Sequence, residues 1–162
     1  MIKYLNNEFP ENCIIEFCIL PDFPIYRLLD SIVTDLGMVY IDTRGTLSTT
    51  KNCYRLFSHQ EYSELFIQLK VMRDKLIIID SVTAIVDSCD DGNDIIGVYN
   101  SLWELIYFNN FSVIVTNHYK VLNRMYHPRL GNLWMLNVTY RVMLKHSEEE
   151  ENYEVVKVDD YF

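Results

Sequence analysis

The most constraining feature of the sequence is a short apolar run, KLIIIDS at residues 75–81, that ends close to an acidic residue. Leucine and isoleucine without polar alternation are typical of a strand in a parallel sheet that is covered on both faces. Asp80 would then lie at the carboxyl end of a central strand, which is the edge where open α/β sheets bind their ligands. The run therefore predicts an α/β fold and raises the question of what Asp80 does at that edge.

Patterns typical of strands and helices alternate along the rest of the chain. The predicted helices have apolar residues at helical spacing, and Gly37 suits the end of the first one. This alternation implies a parallel sheet with right-handed crossovers, and two alternating segments around a glutamate run predict an antiparallel hairpin. We interpret residues 81–94 as a connector. The predicted strands are residues 13–20, 38–43, 75–80, 111–117, 139–146 and 153–160, and the predicted helices are 25–37, 59–74 and 95–110.

Composition and charge restrict the function. The 162 residues fit one domain, and a hydrophobic content of 49% is enough for a packed core. The net charge of −9 argues against a protein that binds a nucleic-acid backbone unaided, since that affinity comes mainly from lysine and arginine. The cysteines lack Cys-x-x-Cys spacing, the histidines lack metal-ligand spacing, and no apolar run approaches the ~20 residues of a membrane span. We expect an intracellular, reduced protein without a metal site.

Four stretches occur in the order of one known family. They are MVYIDTRGTL from Met38, KLIIIDSVTAIV from Lys75, SVIVTNHY from Ser112 and LGNLWMLNVTYRVMLKH from Leu130. Together they resemble the ATPase core of the RecA/RadA-type recombinases, in particular the eukaryotic strand-exchange recombinase and its paralogues. The resemblance extends over residues 13–160.

The resemblance implies a fold and a domain organisation. We expect a trimmed RecA-like P-loop ATPase core of the α/β class, with a mostly parallel sheet, helices on both faces and a C-terminal antiparallel hairpin. Residues 1–162 would form this single core domain, because the sequence before Cys13 has no room for the family's N-terminal DNA-binding domain.

The phosphate-binding loop of the family is degenerate in this sequence. Such a loop needs Gly-x-x-x-x-Gly-Lys-Ser/Thr, so that glycine amides surround the phosphates, lysine neutralises them and a hydroxyl holds magnesium. The stretch CILPDFPI aligns there, and its prolines also remove amide donors. We therefore expect no bound cofactor. The replaced positions are Cys18 and Phe23 for the glycines, Pro24 for the lysine and Ile25 for the hydroxyl residue.

Two further family positions are changed. The catalytic glutamate, which orients the attacking water, falls on Arg44, and arginine cannot act as a base at ordinary pH. The glutamine that senses the terminal phosphate falls on His118. Asp80 matches the Walker B aspartate, but one carboxylate without phosphate oxygens is a poor magnesium site. The resemblance therefore implies a degenerate ATPase that is not an enzyme.

Two interpretations of Asp80 stay open. Either it accepts hydrogen bonds and fixes the edge of the sheet, or the edge has become a docking surface for another recombinase-like subunit. Recombinase protomers join when a Phe-x-x-Ala plug enters a pocket beside the Tyr-Ile-Asp strand, and large side chains at the matching positions would fill it. We therefore expect a dedicated heteromeric contact. The candidate partner-binding residues are Ile77, Ile78, Ile79, Asp80, Tyr54 and Leu69.

Residues 118–132 align with the family's second DNA-binding loop but form a shorter segment. They combine tyrosines with cations in an otherwise acidic chain, so contact with single-stranded DNA is chemically reasonable. A surface loop, or a contact with an acidic partner, explains the same pattern. The candidate DNA-contacting residues are Lys120, Arg124 and Arg129.

The resemblance implies a nuclear, non-catalytic recombinase paralogue. It would form a heterodimer with another paralogue, as an accessory subunit of a recombination mediator complex. That complex would stabilise or remodel recombinase filaments on single-stranded DNA during homologous recombination repair. Two alternatives stay open. One is a weak ATPase, or a subunit that completes a partner's ATP site, and the other is a stand-alone DNA-binding module.

Overall fold

The computed structural model describes residues 1–20, 23–45, 53–88, 94–122, 125–131, 134, 136–146 and 153–160. No helix within these ranges has the length and apolar character needed to cross a membrane. The elements in chain order are β1 (Ile2–Tyr4), β2 (Asn7–Phe9), β3 (Ile14–Ile19), α1 (Ile25–Ser31), β4 (Ile32–Thr34), β5 (Gly37–Asp42), β6 (Cys53–Arg55), α2 (His59–Leu69), β7 (Lys75–Asp80), α3 (Val82–Asp87), α4 (Asp94–Asn109), β8 (Ser112–Leu122), β9 (Met125–Pro128), β10 (Tyr140–His146) and β11 (Tyr153–Asp160).

Parallel strands form the centre of the molecule. The strand order is β11-β10-β3-β8-β7-β5-β6, in which β11 is antiparallel to β10 and all other neighbours are parallel. The end of β8 also pairs antiparallel with β9. The register places Asp42, the last residue of β5, beside Asp80, the last residue of β7. The mostly parallel sheet and the C-terminal antiparallel hairpin confirm the predicted fold class.

Helices and a second sheet cover the two faces of the central sheet. Helices α2, α3 and α4 contribute to the core on one face, which also takes Ile77 and Ile79 from β7. On the other face, α1 and the small antiparallel sheet β2-β1-β4 pack in a core that takes Leu76 and Ile78. Successive side chains of a strand point to opposite faces, so both faces of β7 must be apolar. This is why the run in β7 lacks polar alternation.

The segment after the first central strand differs from the prediction. The predicted helix 25–37 ends at Ser31, and Ile32–Thr34 forms β4, which pairs antiparallel with β1. Its β-branched residues favour an extended backbone, and Ile32 is buried in the core. Gly37 begins β5 instead of ending a helix. Pairing with β1 therefore outweighs the helical spacing of the apolar residues.

The predicted connector, residues 81–94, contains helix α3. Ser81 precedes this helix and caps it, because its hydroxyl accepts a hydrogen bond from the Ala84 amide. A serine immediately before an apolar segment is a helix start signal, and it was the local sign of α3 in the sequence.

The predicted loop, residues 118–132, is largely a hairpin in the described residues. Strand β8 continues to Leu122, and Met125–Pro128 pairs back against it as β9. Backbone hydrogen bonds between β8 and β9 hold this segment more rigidly than a mobile DNA-binding loop would be held.

A buried ionic cluster joins β3 to later parts of the chain. Glu16 in β3 is completely buried and accepts hydrogen bonds from the Asn117 amide and the Trp134 indole, both at 2.7 Å. Arg141 in β10 also donates to Glu16, from Nε. The Thr83 hydroxyl of α3 donates to Asn117 at 2.9 Å. The cluster therefore holds three strands and a helix together through polar contacts inside an apolar core.

Removal of the charge of Glu16 should destabilise the fold strongly. Glu16→Gln would leave the Arg141 cation buried without its anion, at a cost of about 3–5 kcal/mol in the free energy of unfolding. Urea denaturation measures this cost. Glu104→Gln is the matched control, because Glu104 pairs with Lys70 at the surface, and its cost should stay below about 1 kcal/mol. Equal costs for the two variants would contradict a special role of the buried cluster.

Candidate functional site

Three neighbouring strands bring polar side chains together at the carboxyl edge of the central sheet. Strand β5 ends at Asp42, β7 ends at Asp80, and Thr116 lies beside them in β8. The carboxyl ends of parallel strands share one edge, so residues far apart in the sequence meet here. All three side chains are completely buried. Asp80, the residue that the sequence singled out, lies at the centre of this site.

Four hydrogen bonds converge on the carboxylate of Asp80. The Thr116 hydroxyl donates to Oδ1 at 2.6 Å, and the Tyr40 hydroxyl donates to Oδ2 at 3.2 Å. Arg44 donates twice to the same Oδ2, from Nε at 3.0 Å and from Nη2 at 2.8 Å. Three of these bonds end on Oδ2 and one on Oδ1, so protein donors contact both oxygens of Asp80. These contacts agree with the interpretation that Asp80 fixes the sheet edge.

The turn after β5 holds Arg44 in place. Asp42 Oδ1 accepts the backbone amides of Arg44 and Gly45 at 3.1 and 2.7 Å. The Thr43 amide donates to the Asp80 carbonyl at 2.8 Å. Gly45 has a φ of +70°, a conformation that glycine adopts without strain. The turn is therefore tied to both strands, and the Arg44 side chain reaches Asp80 from it.

Tyr40 is a site residue that sequence reasoning missed. The pKa of its hydroxyl is raised above the usual range, first by burial and then by the charges of Asp80 and Asp42. The hydroxyl therefore stays protonated and can donate to Asp80. A signal was present in the sequence, because Tyr40 precedes Asp42 by two positions and so lies on the same face of the strand. Thr116 was missed as well, and its role depends on the pairing of β8 with its neighbours.

His118, which the resemblance aligns with the family's phosphate-sensing glutamine, is partly buried near two arginines and two aspartates. The pKa of its ring is lowered from the ordinary value of 6.5, first by burial and then by the charge of Arg44. Arg129 lowers this pKa as well, while Asp80 and Asp87 oppose the shift. The ring is therefore neutral at pH 7.

The described positions that the resemblance aligns with the family's phosphate loop are closed to a ligand. Cys18 lies within β3 and is completely buried, while Phe23 and Ile25 pack into the core on the α1 face. The Phe23 amide donates to the Leu20 carbonyl at 3.0 Å, so it is already used within the protein. Pro24 is the N-cap residue of α1 and has no amide hydrogen. The two residues at 21–22 lie outside the described ranges.

These residues do not fit the ATP and magnesium that a RecA-like ATPase site binds. A phosphate cradle needs free amides beside a cation, whereas the described positions offer an engaged amide, a proline and apolar side chains. Magnesium needs carboxylate oxygens that it can reach, and those of Asp80 already accept protein donors. Within the described ranges, no three potential metal ligands of the His, Cys, Asp and Glu type cluster together. The arrangement provides a fixed, charge-balanced edge.

Most of the predicted partner-binding residues lie inside the protein. Strand β7 is central in the sheet and both of its faces are covered, so its isoleucines have no surface to offer a partner. Direct contact through these residues therefore does not hold for this structure. Tyr54, on the edge strand β6, is partly buried and packs against the same core cluster as Leu69. The buried candidates are Ile77, Ile78, Ile79, Asp80 and Leu69.

The predicted DNA-contacting residues are only partly described. Arg129 Nη2 forms an ion pair with Asp87 Oδ2 at 2.8 Å, and both side chains are about half exposed. Arg124 and the side chain of Lys120 lie outside the described residues. Contact of the three cations with DNA stays a prediction.

The lowered pKa of His118 predicts a pH-dependent contribution to stability. The ring takes up a proton near pH 6.5 in the unfolded chain but only at lower pH in the folded protein. The stabilising contribution is therefore complete above pH 6.5 and is lost as the pH falls through the folded pKa. Between about pH 7 and pH 5, the free energy of unfolding should fall more steeply for the wild type than for His118→Gln. Urea denaturation at each pH measures both slopes, and identical slopes would exclude this contribution.

Comparisons with known proteins identify the fold. No family model matches the sequence, and no curated protein matches it. Among solved structures, the crystal structure of the RadB recombinase is similar, with a TM-score of 0.61 and 15% sequence identity. The similarity covers 86% of this chain and 77% of that chain. At this identity the likeness shows the fold alone, and this chain has a RecA-like α/β fold.

Proposed function

We propose that this protein is a non-catalytic recombinase paralogue that acts as an accessory subunit of a recombination mediator complex. In this role it binds another recombinase-like subunit and stabilises or remodels recombinase filaments on single-stranded DNA. Its likeness to the RadB recombinase structure supports a link to recombination. A core that has lost its chemistry can still present a shaped surface to its relatives. Homologous recombination repair in the nucleus is the setting that this proposal implies.

The ion pair between Arg44 and Asp80 is the observation that carries the proposal. A RecA-like ATPase uses a glutamate at the position of Arg44 to orient water, and a guanidinium cannot take up a proton. Arg44 instead neutralises Asp80, with Nη2 at 2.8 Å from Oδ2. Arg44 thus takes the place of the glutamate base and also pairs with the neighbouring carboxylate of Asp80. A role in binding another subunit explains this site better than a catalytic role does.

Exposed apolar residues support a surface for that contact. Helices α2 and α4 end side by side, since the Asn109 amide donates to the Lys70 carbonyl at 2.7 Å. Isolated exposed apolar residues are normal on proteins, but several at adjoining helix ends are typical of an interaction site. We call these residues the α2–α4 end. They are Ile67, Val71, Tyr107 and Phe108, each between 68% and 84% exposed.

The negative net charge of the chain favours indirect contact with DNA, through partner subunits. The net charge of −9 opposes binding to a phosphate backbone. Arg129, a candidate for DNA contact, already pairs with Asp87. An accessory subunit of this kind acts by differential binding, because it shifts the filament toward the conformation that it binds more tightly.

The isolated chain should not bind nucleotide. With a fluorescent ATP analogue and Mg²⁺ up to about 1 mM, the upper end of common KM values, the wild type should show no saturable signal. Asp80→Ala should behave in the same way. Saturable binding that Asp80→Ala abolishes would support a weak ATPase and contradict the proposal. The same titration of the purified complex, with and without this chain, shows whether the chain completes a partner's ATP site.

The α2–α4 end should carry the partner contact. The double variant Tyr107→Ser/Phe108→Ser removes two exposed aromatic side chains and should weaken binding of a recombinase-fold subunit by about tenfold or more. Its free energy of unfolding should change by no more than about 1.5 kcal/mol, because both side chains are exposed and the main loss is the stacking of Tyr107 on Trp103. Tyr26→Ser is the control, since Tyr26 is also exposed but lies on α1.

Purification from cells with a tag on the chain, followed by identification of stoichiometric partners, is the corresponding measurement. A recombinase-fold partner retained by the control and lost by the double variant supports the proposal. Absence of any such partner, or equal retention by both variants, contradicts it.

A further inference from the structure

We infer that two arginines take the place of a divalent cation at the carboxyl edge, Arg44 at Asp80 and Arg55 at Asp42, so that the wild-type chain does not bind Mg²⁺ or Mn²⁺ there. This goes beyond the proposed function, because it holds whether or not the chain joins a recombinase complex. It concerns how the edge remains charge-balanced.

Two buried carboxylates lie at the ends of neighbouring strands, and the arginines compensate their negative charges. Asp42 and Asp80 are paired in the register of β5 and β7, and both are completely buried. Neighbouring strands lie about 4.8 Å apart, so two such anions repel each other and each needs compensation. A divalent cation is one solution, because Mg²⁺ binds carboxylate oxygens. Guanidinium groups are another.

In this structure, guanidinium groups compensate the two carboxylates. Arg44 donates to Asp80 Oδ2 from two nitrogens, at 3.0 and 2.8 Å. Arg55 Nε lies 3.8 Å from Asp42 Oδ2, while Oδ1 of the same carboxylate accepts the amides of Arg44 and Gly45. Two guanidiniums carry the same total charge as one divalent cation. Arg44 is in direct contact with Asp80, whereas Arg55, whose side chain is 44% exposed, forms a looser ion pair with Asp42.

Burial makes the contact with Arg44 difficult for a metal to replace. Mg²⁺ usually keeps several waters and requires near-octahedral geometry, but Asp80 has no exposed surface. Thr116 and Tyr40 complete its hydrogen bonds at 2.6 and 3.2 Å. A metal ion would have to expel Arg44, which would then lose its anion. Arginine also stays protonated in proteins, so the pair does not separate through loss of a proton.

Unfolding of the purified chain with and without Mn²⁺ tests the inference. The wild type should have the same urea midpoint in both conditions at constant ionic strength, since an ion that does not bind the native state cannot stabilise it. Arg44→Ala should be less stable than the wild type and should regain stability with about 5 mM Mn²⁺. Its Mn²⁺ affinity, measured by electron paramagnetic resonance, should exceed that of the wild type by about tenfold or more.

Two variants show whether any response belongs to this site. The gain from Mn²⁺ should disappear in Arg44→Ala/Asp80→Asn, because the liganding carboxylate is gone. Arg73→Ala is the matched arginine control, since Arg73 donates to backbone carbonyls after α2, and its stability should not respond to Mn²⁺.

Three results would overturn the inference. One is a wild-type midpoint that rises with Mn²⁺ but no longer does so in Asp80→Asn. Another is an Arg44→Ala protein that folds and ignores Mn²⁺. If Arg44→Ala is unfolded without metal, refolding in Mn²⁺ decides: folded protein supports the inference, and unfolded protein in both conditions overturns it. Neither nucleotide nor partner is present, so the outcome is independent of the proposed function.

Discussion

The covering of one parallel sheet on both faces is the constraint on which the rest of the structure depends. Its central strands must present apolar side chains to two core layers, so polar side chains gather where the strands end. Asp42 and Asp80 lie at that edge, and the turn after β5 is held by the Asp42 carboxylate and the Asp80 carbonyl. The same burial makes each charge there depend on a group of opposite sign. The chemistry of the edge therefore follows from how the sheet is covered.

Internal charge balance is common to the two polar clusters. Glu16 pairs with Arg141 inside the sheet, and Asp80 pairs with Arg44 at its edge. A buried ion pair adds little stability relative to apolar residues, but the loss of one partner is costly. Such pairs therefore restrict which elements lie next to each other more than they raise stability. The two clusters meet at β8. In this strand Thr116 donates a hydrogen bond to Asp80, and its neighbour Asn117 donates one to Glu16.

A RecA-like fold does not specify an activity, because function depends on the groups placed on it. The likeness to the RadB recombinase establishes architecture, and the proposed accessory role comes from the residues. Hydrolysis requires a base and a cation held at fixed positions around a phosphate, and the sequence resemblance aligns Arg44 and Pro24 with the family's glutamate and lysine. A docking surface requires exposed apolar area, which the α2–α4 end supplies.

Local patterns were sufficient for the central strands, the C-terminal hairpin and the position of Asp80. These depend on residue identity and short-range periodicity, since a strand that is apolar on both sides is stable only when both faces are covered. The folded arrangement decided what local patterns could not. It made residues 32–34 a strand through pairing with residues 2–4, and it buried the isoleucines of β7 beyond the reach of a partner. It also brought Tyr40, Arg44 and Thr116 to Asp80 across as many as 40 positions. Such contacts follow from strand order and register, which no short segment contains.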